Sequence, residues 1–94
     1  MYTLLIDDKR DIKCDIIART FDKGIEALKE NKISTLYLDN DLGQIRKTGE
    51  KSGYKVLCWL EENPQYLPKE IILVTQNPVE KIRMSKLINK LYGG

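Results

Sequence analysis

Four aspartates stand in turns that directly follow apolar runs, and their number and placement suit the holding of a hard cation. Asp7 and Asp8 follow Tyr2 to Ile6, Asp39 and Asp41 follow Ile33 to Leu38, and Thr75 and Asn77 follow Ile71 to Val74. Mg²⁺ or Mn²⁺ takes one or two carboxylates and completes its shell with water and phosphate oxygens, so Asp7, Asp8, Asp39 and Asp41 are the candidate metal set. Each acid also has a local reading, because aspartate commonly closes a turn on its own backbone. The metal reading requires that the runs be neighbouring strands. In an open parallel sheet, ligands bind beyond the carboxyl ends of the strands, which would pool acids, a hydroxyl and an amide in one pocket.

The third turn supplies the complementary chemistry. The start of the helix after Asn77 offers free N–H groups and a positive dipole end, with Thr75 and Asn77 beside it and Arg83 on its second turn. Arg46, Lys47 and Lys51, on the long polar stretch from Asp39 to Ser52, either close over a phosphate or stay solvated. Tyr54, at the mouth of that stretch, is placed to stack on a base, whereas Trp59 lies on an apolar helical face and is assigned to the core.

Elements that would position these groups follow from periodicity and punctuation. Strands are expected over residues 2–6, 14–19, 33–38 and 70–75, the last with four consecutive apolar residues and therefore expected at the centre of the sheet. Only a short polar loop separates the first two, so they form either a hairpin or a crossover by extended loop. Phe21, Ile25 and Leu28 behind Thr20 predict a helix over 21–31. Ser52 caps a second, through Glu62, with Val56, Trp59 and Leu60 on its apolar face. Asn77, Pro78 and Glu80 open the third as an asparagine version of the capping box, Met84, Leu87, Ile88 and Leu91 form its buried face, and Gly93 ends it.

The composition bounds the function. Ninety-four residues suit one domain over 1–94 with room for one site. A net charge of +2 gives no field strong enough to hold duplex nucleic acid by phosphate neutralisation. Cys14 and Cys58 lack CxxC spacing, and no leader or membrane-length apolar span is seen, so a reduced, cytoplasmic, soluble protein without membrane contact is expected. The chain has no histidine, which removes the usual neutral-pH acid/base.

The order Ile6-Asp7-Asp8, Leu38-Asp39-Asn40-Asp41-Leu42-Gly43 and Val74-Thr75 resembles response-regulator receiver domains. That resemblance implies metal binding at Asp7 and Asp8, the phospho-acceptor position at Asp39 and the hydroxyl position at Thr75. A receiver's lysine follows a fifth strand that has no counterpart here, so phospho-signalling is not expected. Asp7-Asp8-Lys9-Arg10, Arg19-Thr20, Asp39-Asn40-Asp41-Leu42-Gly43, Ser52-Gly53-Tyr54, Trp59, Asn77-Pro78-Val79 and Arg83-Met84 resemble more closely the compact, receiver-like cyclic-phosphate-processing family of bacteria and phages. Asn40 stands where that family has histidine, Val74 where a second would fall, and Lys55 replaces an acid. The implied fold is a Rossmannoid α/β domain, a four-stranded, mostly parallel sheet with three helices, lacking the first helix and the fifth strand and helix of a receiver.

Joined to this resemblance, the residues give three functional readings. The first is binding or sequestration of a small phosphate-bearing nucleotide, cyclic in the family's sense of a 2′,3′-cyclic end, through Arg10, Arg19, Tyr54, Thr75, Asn77 and Arg83 with the acids holding Mg²⁺ or Mn²⁺. The second is a metal-dependent phosphoesterase in which Asp39 or Asp41 orients the attacking water. The third is a protein-interaction module that kept the fold as scaffold.

Overall fold

In the computed structural model, which describes residues 1–42 and 51–93, the elements run β1 (Tyr2–Ile6), β2 (Ile16–Ala18), α1 (Phe21–Glu30), β3 (Ile33–Leu38), α2 (Gly53–Glu62), a 3₁₀ turn (Pro64–Tyr66), β4 (Glu70–Leu73) and α3 (Pro78–Leu91). The four strands form one sheet in the order β2-β1-β3-β4, and every pairing is parallel. Strands β1 and β2 are therefore joined by an extended loop rather than a hairpin. Asp15 anchors the end of that loop, its carboxylate accepting from the Thr3 backbone N–H at 2.9 Å. The family resemblance led to a mostly parallel sheet with three helices, and that architecture is what the chain adopts.

Two expectations about the sheet are corrected. β2 is three residues long, with Cys14, Asp15 and Arg19 outside it. β4 lies at an edge, not at the centre. Its apolar run misled because Ile71 and Leu73 pack on the core while Ile72, on the other face, is 39% exposed. A run of apolar residues does not require burial on both faces.

Each helix begins where the sequence punctuates it. Thr20 and Ser52 accept from the N–H three residues on, and the Asn77 side chain accepts from both Val79 and Glu80. The reciprocal half of the expected capping box does not form, because the Glu80 carboxylate pairs with Arg83 at 2.9 Å instead of turning back to Asn77. After α3, Gly93 adopts the left-handed conformation, φ 76°, that ends many helices. The three helices touch in series, α1 on α2 and α2 on α3, and Leu4, Ile6, Leu36 and Leu38 face them in the core. No helix among the described residues is long and apolar enough to cross a membrane.

Trp59 packs against this core, as its helical position predicts, with Tyr66 stacked on it at 5.4 Å between centroids.

Candidate functional site

The turns after β1 and β3 bring three acids together. One carboxylate oxygen from each of Asp7, Asp8 and Asp39 lies within 4.8 Å of the others. Strand pairing causes this: Ile6 and Leu38 are register partners, and the Asp39 N–H continues the ladder by donating to the Ile6 carbonyl at 3.1 Å. A shallow cleft of about 350 Å³ lies over the acids, lined by Asp7, Asp8, Lys9, Arg10, Asp39 and Asp41. Asp41 is exposed and lies outside the three-carboxylate group, so the four-acid set resolves into three plus one at the rim.

The acids differ in environment. Asp7 is buried, and its carboxylate accepts from the Lys9 and Arg10 N–H groups at 2.9 and 3.1 Å and from the Arg10 guanidinium at 3.0 Å. Asp39 is half-buried, and its pKa is raised from the ordinary 3.8, first by burial and second by the Asp7 charge. The Asn40 N–H, the Thr75 hydroxyl and Arg10 act in the opposite sense without cancelling the rise. Burial disfavours the charged form, and a like charge nearby adds to it. Three carboxylates against one guanidinium leave an excess of negative charge suited to a divalent cation, so the donor set fits Mg²⁺ or Mn²⁺.

Thr75 is buried at the end of β4 and bonds to both sides of the site, to Asp39 through its hydroxyl and to the Asn77 N–H at 3.3 Å. Arg10 and Arg19 brace the loop after β1. Arg10 reaches the Val74 carbonyl as well as Asp7, tying the β1 end to the β4 end, and Arg19 donates to the Arg10 carbonyl at 2.7 Å while pairing with Asp11. Asn77 spends its side-chain oxygen on the first N–H groups of α3.

Tyr54 and Arg83 come together, but away from the acids. The guanidinium lies 3.6 Å from the Tyr54 ring centroid, in a groove between α2 and α3 that shares no lining residue with the acid cleft. Lys51 pairs with Asp22 on α1 at 2.6 Å, while Gly43, Arg46 and Lys47 lie outside the described residues.

Two residues that the sequence reading left without a site role position Asp39. The Asn40 carbonyl accepts from Gly53 N–H at 2.9 Å, and its side-chain oxygen accepts from Tyr54 N–H at 3.1 Å. The start of α2 is thereby docked on the β3 turn. The Ser-Gly-Tyr motif was the available signal, but its partner Asn40 is distant in sequence and only the fold supplies it.

Neither a curated protein nor a solved structure matches the chain. Residues 2–90 match the family model described as the cyclic-phosphate processing receiver domain, and with the parallel sheet and the strand-end acids in place the chain belongs to that family.

Proposed function

We propose that the strand-end cleft binds Mg²⁺ or Mn²⁺ through Asp7, Asp8 and Asp39 together with the phosphate of a small cyclic nucleotide, and that the protein holds this ligand without turning it over. The observation that carries the reading is the convergence of three carboxylates within 4.8 Å with one guanidinium against them. Membership of a family linked to cyclic-phosphate processing supports the choice of ligand. When bound, such a cation neutralises phosphate oxygens and activates water. Arg10 fixes Asp7, Thr75 and Asn40 fix Asp39, and Lys9 adds a positive charge at the rim. Retention rather than turnover is favoured because the chain has no histidine and the Asn40 amide oxygen is occupied by a backbone N–H, so no imidazole is at hand to move a proton. General acid/base help of that kind is worth about 10²–10⁴-fold in rate.

A metal-dependent phosphoesterase is the second reading, favoured by one observation: Asp39 stands within 4.8 Å of the Asp7 and Asp8 carboxylates, with Asp41 at the rim of the same cleft, so that Asp39 or Asp41 would orient an attacking water beside a bound cation. Incubation with 2′,3′-cyclic nucleotides and Mg²⁺, followed by denaturation and chromatography, separates the two. Intact ligand released in stoichiometric yield supports retention. Multiple turnovers of a linear product, abolished in Asp39→Asn, establish the esterase, and absence of any retained nucleotide favours an interaction module.

A further inference from the structure

Alternate residues of a strand face opposite sides of a sheet, and here the packed core with the helices takes one side. In register on the other side, Ile17, Leu5, Tyr37 and Ile72 form a single row across all four strands. Leu5 is fully buried, Tyr37 is half-buried, and Ile17 and Ile72 at the ends are 41% and 39% exposed. Two residues further along the same strands stand Arg19, Asp7, Asp39 and Val74. The ladder continues through these positions, with Asp7 N–H on the Ala18 carbonyl and Val74 N–H on the Leu38 carbonyl. Row and acids therefore share a sheet face, separated by two residues of rise, about 6.6 Å. On the far side of the row the face turns polar, where Thr3 and Thr35 bond to Asp15 and Glu70.

We propose that the accessible β3–β4 part of this row, Tyr37 and Ile72, is the shelf for the base of the ligand, with Tyr37 as its main contact and the buried Leu5 behind it. The inference rests on the reading of the acid cleft as the phosphate site. It makes the ligand a nucleoside phosphate rather than free phosphate or a sugar phosphate, because a base joined through ribose to a phosphate at Asp39 is carried about one row down the sheet. Tyr54 does not serve this purpose, since Arg83 covers its ring in a separate groove. A ring set between Leu5 and Ile72 reads the apolar face of a base and not its edge, so the shelf accepts purines and pyrimidines alike.

The test is calorimetry on the full chain with Mg²⁺, using adenosine 2′,3′-cyclic phosphate and ribose 5-phosphate as probes. The expected result is that the nucleotide binds about tenfold tighter than the sugar phosphate, as one base contact provides. Tyr37→Ser then brings the two affinities to within about twofold while leaving ribose 5-phosphate unchanged, and Ile72→Asp, at the exposed end of the row, narrows the gap without disturbing the core. Asp39→Asn weakens both probes. Equal binding of the two probes by the unaltered protein, or a ratio that survives both Tyr37→Ser and Ile72→Asp, overturns the shelf and leaves the phosphate site standing. If neither probe binds the unaltered protein, the phosphate site falls and the shelf with it.

Discussion

A methyl group on Gly53 would lie 1.9 Å from the carbonyl oxygen of Asp39. The first residue of α2 and the acid at the end of β3 are thus in direct backbone contact, closer than any side chain would permit. The residue that opens a helix here also sets the position of a candidate metal ligand.

Gly53→Ala is expected to destabilise the protein by about 3 kcal/mol or more, because the obstacle is backbone and cannot swing aside. In a domain of this size that lowers the thermal midpoint by roughly 12 °C or more. Gly24→Ala provides the contrast. Its nearest obstacle, at 2.6 Å, is the Cδ1 end of the Ile6 side chain, which can shift, so about 1–2 kcal/mol is expected. Thermal melts of the two variants, side by side, check the difference.

Asp39→Asn should weaken Mg²⁺ or Mn²⁺ binding by at least about tenfold, a loss seen even for residues one shell further from a metal. Asp41→Asn, at the rim and outside the three-acid group, should change it much less. Calorimetric titration of both variants decides between three ligands and four. Equal losses would bring Asp41 into the set.

The raised pKa of Asp39 ties stability to pH with a definite sign. Between the unfolded value of 3.8 and the higher folded value, the native state holds a proton that the unfolded chain has released. Stability from this group therefore falls as pH rises through that window, and the penalty is fully present above it. In chelator, the melting midpoint of the native protein should decline across the window relative to Asp39→Asn. Cation affinity should rise across the same window, because the ligand is the carboxylate. Parallel melting curves for the two proteins would contradict the assignment.

Loss of the cap in Asn77→Ala should cost about 1 kcal/mol, seen as a midpoint lower by roughly 4–8 °C. Cation affinity should stay unchanged, since Asn77 spends its side-chain oxygen on Val79 and Glu80 N–H groups. A variant that melts normally but binds cation weakly would place Asn77 in the site.

The local grammar of this chain was readable, and the reach of its side chains was not. Thr20, Ser52 and Asn77 cap the helices that their positions announce, and the acids after Ile6 and Leu38 converge because parallel register forces strand ends together. Side chains that span the fold escaped. Arg10 and Arg19 turn into the loop after β1, and Arg83 lies on Tyr54, because their partners at Val74, Asp11 and Tyr54 are chosen by tertiary proximity. The place of β4 escaped for the same reason. Strand order is a property of the assembled sheet, and Ile71-Ile72-Leu73 is equally apolar at an edge or at the centre.

That edge carries a liability. An outer strand offers unpaired N–H and carbonyl groups on which another extended chain can build, and an apolar one invites aggregation. β4 is only four residues long, it begins with charged Glu70, and Pro68 and Lys69 precede it. The Tyr92 hydroxyl donates to the Pro68 carbonyl at 2.6 Å, fixing the chain as it enters the strand. Burial pushes the Tyr92 pKa up to about 12, so this donor keeps its proton throughout the physiological range. The C-terminal end of α3 thereby holds down the approach to this edge strand.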